Sequence, residues 1–279
     1  MADALVGLEA RGPAARMNVT TLLYHDVVQP GAWSSSGFEG PGADAYKLEV
    51  PDFLRQLDRI AQAVEGPAVP IGAALAVQGA EPWTFTVDDG GVTSATEIAP
   101  ALEARGWVGH FFVTTGRIGT PGFVSEAQIR ALDQAGHVVG SHTVTHPTRM
   151  ARVPYPRMVE EWTRSRQRLE DILQKSVRVA SVPGGYYAPP VARAAAEAGL
   201  EILYTSEPVR GVETVAGCTV VGRYCVKLGT SDDEVVGLAT GRGSFRLRQW
   251  AHWNTKKVAK VIGGPLYLSA QRFLQARSR

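Results

Sequence analysis

The chain has 279 residues, 44% of them hydrophobic and 20% charged, with a net charge of +2 at neutral pH. That composition supplies the core of one large domain or two small ones and excludes a chain disordered throughout. No apolar run reaches the roughly 18 residues of a membrane span, and the N-terminal residues, which include Asp3 and Glu9, lack the basic-then-apolar pattern of a signal peptide.

Residues 1–16, dominated by Ala, Gly and Arg, read as a flexible extension ahead of a domain over 17–241. The first strand is expected at Thr20–Tyr24. Residues 29–49 read as an irregular loop on the rim of a site. Phe53, Leu57 and Ile60 then recur at helical spacing, with Pro51 at the start and Gly66 past the end. Residues 65–82 again read as loop. A second strand follows at Trp83–Val87, and Ser94 with Glu97 reads as a capping box opening a helix that stops at Gly106. The third strand is Trp107–Val113; Ser125 with Gln128 opens the next helix, closed by Gly136. His137–Ser141 is the fourth strand, and a polar helix is expected over about 157–174. Val177–Ser181 and Glu201–Thr205 flank an Ala-rich helix from Pro189 to Gly199, and Thr219–Val226 is the seventh strand. Strand–helix alternation over this length predicts a single α/β domain with a parallel sheet, either a barrel of about seven strands or an open doubly wound sheet.

Cys218 and Cys225 lie seven residues apart along one expected strand, on opposite faces, so a disulfide between them is not expected and a reducing, cytoplasmic setting fits. Beyond Glu234 the chain has no acidic residue and nine basic ones, which leaves the preceding 234 residues with a net charge of −7. The tail, 242–279, is therefore strongly basic. Its aromatic residues Phe245, Trp250 and Trp253, with Val258 and Val261, are interspersed with Arg and Lys. That pattern suits either a helix at an anionic membrane surface or a helix packed by its aromatic side on the barrel. Nucleic-acid binding is not expected, because the acidic body opposes it.

The reactive side chains follow strands. His25 and Asp26 follow the first, Asp88-Asp89-Gly90 the second, Thr114-Thr115 the third, His142 and His146 the fourth, and Pro183-Gly184-Gly185-Tyr186 the fifth. In parallel α/β folds the carboxyl ends of the strands share one face, so these groups converge. Adjacent carboxylates on their own are most often a turn, but two acids at a strand end call for a counter-charge, which a divalent metal supplies. Two histidines four residues apart with one carboxylate make a facial ligand set that leaves positions open, as a catalytic metal site requires. The Pro183–Tyr186 segment is either a plain turn or a loop presenting backbone N–H groups to an oxyanion, with glycines permitting close approach.

Thr86-Val-Asp-Asp-Gly90, Ser141-His-Thr-Val-Thr-His-Pro147 and Pro183-Gly-Gly-Tyr186 resemble, in order and spacing, the first three motifs of the polysaccharide deacetylase family, the NodB-like carbohydrate esterases. Leu23-Tyr-His-Asp-Val27 and His110-Phe-Phe-Val113 resemble the family's opening and third strands. The resemblance implies a distorted (β/α) barrel. It implies that Asp88 is the catalytic base, that Asp89, His142 and His146 bind one divalent metal, zinc, and that Pro183, Gly184, Gly185 and Tyr186 form a wall facing an N-acetylated sugar or glycan. Two departures stand out. Ser181 occupies the place of an arginine that orients the catalytic aspartate, and the late Leu-x-His motif that supplies the general acid is missing. His25, at a strand end on the same face, is the candidate donor in its place, or else a structural histidine. The departures leave two other readings open: a deacylase of a small or cyclic amide, and a catalytically weak carbohydrate-binding homologue.

Overall fold

The computed structural model describes residues 17–77 and 82–255. The expected N-terminal extension and the tail beyond residue 255, with Val258 and Val261, lie outside the described residues.

The chain opens with β1 (Thr20–Tyr24), β2 (Val27–Val28), α1 (Pro41–Asp44), β3 (Leu48–Glu49), α2 (Val50–Ala63) and α3 (Ile71–Ala76). Then come β4 (Trp83–Val87), a π-type turn at Ser94–Ile98, α4 (Ala99–Glu103), β5 (Gly109–Val113), α5 (Glu126–Gln134) and β6 (Val138–Ser141). The second half carries α6 (Tyr155–Leu173), β7 (Val179–Ser181), α7 (Pro189–Glu197), β8 (Ile202–Tyr204), β9 (Glu213–Val215), β10 (Cys218–Val221), β11 (Tyr224–Cys225) and α8 (Asp232–Thr240). Residues 245–255 are helical again.

Nine strands form one sheet in the order β11-β1-β4-β5-β6-β7-β8-β10-β9, parallel throughout except for the β10–β9 pair. The segment before β1 turns back on the segment before β9: Val19 N–H donates to Arg210 O at 3.0 Å, and Val212 N–H to Met17 O at 3.1 Å. The sheet is therefore a curled half-barrel, as the (β/α) barrel expectation requires, with nine strands in place of seven.

The extra strands have an identifiable cause. The expected strand Thr219–Val226 is two strands in different places, β10 beside β8 and β11 beside β1 at the opposite edge. The break falls at Gly222, where any Cβ would come within 2.5 Å of the carbonyl oxygens of Glu207 and Val209. β9 accounts for the ninth strand.

Two local expectations are also corrected. Residues 65–82 contain α3, whose Ile71 and Ala74 are buried and whose Ile71 N–H donates to His110 Nε2 at 2.9 Å. Ser94 makes no cap: the helix there starts at Thr93 with a π-type turn, and the Thr93 hydroxyl is spent on Asp26 Oδ1, 3.1 Å away. The Ser125–Gln128 capping box is present in full.

The two-residue strand period divides the side chains. Trp83, Phe85, Val87 and Phe111 point into the main core with Phe53, Leu57, Leu102 and Leu238 from the helices. The alternate residues point inward, where Thr21 and Thr84 pair at 2.8 Å and Phe112 meets Tyr204 and Val221. Thr84 and Thr86 are thus followed, on the same inner face, by Asp88.

The first part of the basic tail is packed on the barrel. Phe245 fills the space over Gly237, where a Cβ would lie 2.2 Å from its ring. Arg246 donates to Leu238 O at 2.8 Å and Ala239 O at 2.7 Å. Leu247 (64% exposed) and Trp250 (46%) face outward. Among the described residues no helix is long and apolar enough to cross a membrane.

Candidate active site

Asp88 sits at the end of β4, buried, and its N–H donates to Tyr24 O of the neighbouring strand at 3.1 Å. Asp89 then leaves the strand period through a left-handed backbone (φ 74°), which turns its carboxylate toward the loop after β6. That loop is also strained: Thr143 and His146 have φ of 67° and 54°. Strain of this kind costs about 1–3 kcal/mol per residue and persists only where surroundings over-determine it. Here they do. Buried Glu161 on α6 accepts the N–H groups of Val144 and Thr145, both at 2.9 Å, and the Thr145 hydroxyl at 2.8 Å. Thr143 Oγ1 accepts the His146 N–H at 3.1 Å, and Thr115 N–H donates to Thr143 O at 3.0 Å.

The result is a compact triad. Asp89 Oδ1 lies 3.4 Å from His142 Nε2 and 3.3 Å from His146 Nε2. These three ligand atoms all fall within 4.8 Å of one another. Donors about 2.0–2.1 Å from a tetrahedral ion stand about 3.3 Å apart, so the set fits a single divalent metal. The tautomer fits as well, because His142 Nδ1 is 2.9 Å from Ser181 O, to which it donates, leaving Nε2 with its lone pair free for a ligand bond.

Asp88 has a partner that the sequence did not reveal. Arg223, 0% exposed, donates Nη1 to Asp88 Oδ1 at 2.7 Å and Nη2 to Oδ2 at 2.8 Å, a bidentate pair. It also donates to Ser181 Oγ (2.7 Å), Thr205 O (2.9 Å) and Thr86 Oγ1 (3.3 Å), and Ser181 Oγ donates to Asp88 Oδ2 at 3.0 Å. Ser181 therefore does not leave Asp88 alone: the guanidinium arrives from the turn between β10 and β11 instead of from β7. The signal was a lone arginine inside the apolar run Thr219–Val226, with no carboxylate nearby in sequence to pair with it. Glu161 gave no comparable signal, sitting in a helix crowded with charge.

Electrostatics separate the groups. Burial pushes the Asp88 carboxyl up, but Arg223, His142 and His25 outweigh it and hold it below the usual range. Burial opposes ionisation of Asp89 too, and hydrogen bonds from His142 and His146 hold it well below. Burial would lower His142, yet Asp88 and Asp89 raise it. For His25 burial wins over both carboxylates and the imidazole is lowered.

A cavity of about 820 Å³ opens over these groups. His25 lines it, with its ring 4.8 Å from that of Tyr46 and with Nδ1 buried and lacking a hydrogen-bond partner among the described residues. Gly184, Gly185 and Tyr186 line it as well, while Pro183 is buried behind them. The two glycines permit close approach to protein atoms: a Cβ on Gly184 would meet Thr148 O at 2.5 Å, and one on Gly185 the Trp253 ring at 2.8 Å. The segment 29–49 is a rim, contributing Phe38, Gly42, Ala43 and Tyr46, but it is not all loop as expected: it contains α1 and ends in β3, paired with β2. It is pinned from below by buried Asp26, which accepts from Ser36 Oγ at 2.6 Å, and Phe38 packs on His146 at 4.8 Å. Residues 65–77 contribute nothing to the cavity.

The polysaccharide deacetylase family matches residues 77–203, a span that holds all three motifs and ends before Arg223. No curated protein matches the sequence. Among solved structures, the IcaB protein of Ammonifex degensii is 20% identical, covers 80% of this chain and 97% of its own, and has a TM-score of 0.64. The deacetylase PplD of Streptococcus pyogenes, solved in complex with acetate, is 18% identical over 80% and 99% of the two chains, at 0.65. BC0361, a polysaccharide deacetylase from Bacillus cereus, is 17% identical over 80% and 69%, at 0.66. At such identities these likenesses establish the shared fold.

Proposed function

We propose that this chain, a hydrolase whose residues 77–203 belong to the polysaccharide deacetylase family, removes the acetyl group from an N-acetylated amino sugar or glycan with the help of one divalent metal. The observation that carries the reading is the convergence of Asp89, His142 and His146 on one point, with Asp88 held ionised by Arg223 beside it.

Asp89 Oδ1, His142 Nε2 and His146 Nε2 would hold the ion, and zinc suits a donor set of two imidazoles and one carboxylate. When bound there, it supplies Lewis acidity to a water and to the amide carbonyl. Asp88 takes the proton of the attacking water at its carboxylate, which Arg223 keeps charged and fixed in orientation. The Gly184–Tyr186 loop is the wall of the cavity that would face the substrate. His25 delivers a proton to the departing amine nitrogen, without which the amine is a poor leaving group; a positioned acid is worth about 10²–10⁴-fold. The reading as a weak binding homologue leaned on Ser181 and on the missing Leu-x-His motif; Arg223 answers the first ground and leaves the second.

The test is acetate release from N-acetylglucosamine oligosaccharides by metal-loaded protein, alongside metal content. His142→Ala should lose metal and turnover together. Full metal occupancy of that variant after dialysis, or a wild-type protein that releases no acetate from any N-acetyl sugar, refutes the proposal.

A further inference from the structure

The far wall of the cavity is built by the C-terminal helix, outside the span that matches the family: Gln249, His252 and Trp253 line it. This helix is held at three places. Phe245 is packed over Gly237. Arg246 ties α8 to β1, reaching Leu238 O, Ala239 O and, at 3.2 Å, Thr20 Oγ1. Gln249 closes a two-bond clamp on edge strand β11: its Oε1 accepts the Cys225 N–H at 3.0 Å and its Nε2 donates to Cys225 O at 2.9 Å. The amide thus answers the outer backbone groups of an edge strand as a further strand would.

One turn beyond Gln249, the Trp253 indole occupies the space where a side chain at position 185 would begin, in the loop that follows β7. Gly185 has φ of +67°, and a Cβ there would come 2.8 Å from the ring, so glycine is needed at this position for two reasons. The indole is half-buried and lines the cavity together with Tyr186 and Tyr187. The cavity volume is that of a pocket for a small molecule or a short oligosaccharide. A pyranose ring presents a face of C–H groups, and an indole is the largest flat apolar surface a protein can set against one.

We propose that Trp253 is a specificity-determining platform for the sugar unit next to the one being deacetylated, and that Gln249 is the positioning residue that holds it over the loop. The inference rests on the deacetylase reading and narrows its substrate to glycans of two or more units.

The experiment compares acetate release from N-acetylglucosamine and from its trimer by metal-loaded full-length protein. Trp253→Ala should lower the ratio of kcat/KM for trimer to that for monomer about tenfold, through KM. Trp253→Phe, which keeps a flat ring, should stay within about threefold of wild type. Gln249→Leu should follow Trp253→Ala, with unchanged metal content and melting temperature showing that the barrel is intact. Equal loss on both substrates, or an unchanged ratio in Trp253→Ala, overturns the proposal while leaving the deacetylase reading standing. A wild-type protein inert toward both substrates overturns the two together.

Discussion

Replacing Arg223 by Met removes the guanidinium and keeps most of the side-chain volume. Asp88 then loses its bidentate partner and keeps the Ser181 hydroxyl as donor, with His142 Nε2 3.9 Å away as the nearest group that can carry positive charge. Breaking a buried ion pair from one side costs about 3–5 kcal/mol, and at roughly 2–4 °C per kcal/mol for a domain of this size the melting temperature should fall by about 6–20 °C. The loss has a pH signature. In the native protein the Asp88 pKa is depressed, so its stabilisation is present above the unfolded value near 3.9 and is lost as pH falls through the folded pKa. In Arg223→Met burial acts unopposed by the guanidinium and the pKa rises, so the contribution is present in acid and lost as pH rises through the new folded value. The deficit of the variant should therefore widen from pH 4 to pH 8, as read by denaturant titration of metal-free protein at each pH. Arg223→Lys should fall between the two, since an ammonium cannot span both carboxylate oxygens. In the double variant Ser181→Arg/Arg223→Ser, the charge moves to β7, where the carboxylate lies 3.0 Å from the side chain it replaces, and part of the lost stability and turnover should return. An Arg223→Met variant as stable as wild type at pH 7, or a deficit that narrows with rising pH, would refute the reasoning.

Three further outcomes are expected. His25→Ala should lower kcat by about 10²–10⁴-fold and abolish the alkaline limb of the pH–rate profile, because the donor must carry its proton; burial lowers this imidazole, so in the native protein that limb should begin below the ordinary histidine value of about 6.5, and a limb unchanged in the variant rules His25 out. Asp26 is pushed up to about 6 by burial, against the Ser36 hydrogen bond, so its contribution is present below pH 4 and lost as pH rises through about 6, on the order of 3 kcal/mol. Asp26→Asn keeps an oxygen for Ser36 and Thr93 and should gain stability over wild type between pH 4 and 8; parallel pH–stability curves would exclude this. The six basic residues beyond residue 255 should bind anionic vesicles at low salt, at about 1 kcal/mol each near the surface, so a chain ending at Thr255 should sediment less with them. Equal sedimentation of the two chains disposes of membrane contact through the tail.

What could be read from the sequence was what local rules control. β1 and β4 fall where the apolar runs end, and Ser125 caps α5 as its spacing with Gln128 demands. Asp88, Asp89, His142 and His146 converge because parallel strands put their carboxyl ends on one face, a consequence of topology and not of any distance along the chain. Local rules failed where a side chain had a stronger tertiary use. Thr93 and Ser94 could have capped a helix, but a buried Asp26 needed donors, and the helix began with a π-type turn instead.

Arg223 shows where such reading stops and why. Nothing within one strand says that a chain will bend at Gly222, yet that bend splits an apolar run, sends β11 to the opposite edge of the sheet, and drops the guanidinium into the barrel behind Asp88. A buried arginine without a carboxylate must give up several kcal/mol of hydration, so its presence in an apolar run already demands a partner somewhere in the fold. Ser181 poses the complementary question, a small hydroxyl where the motif leads one to expect a cation. Each departure alone reads as a defect. Both vanish if the space and the charge vacated on β7 are filled from the β10–β11 turn, because Ser181 Oγ then lies 2.7 Å from Arg223 Nη2 and both bond to one carboxylate oxygen. In this chain the cation against Asp88 therefore comes from the β10–β11 turn and not from β7.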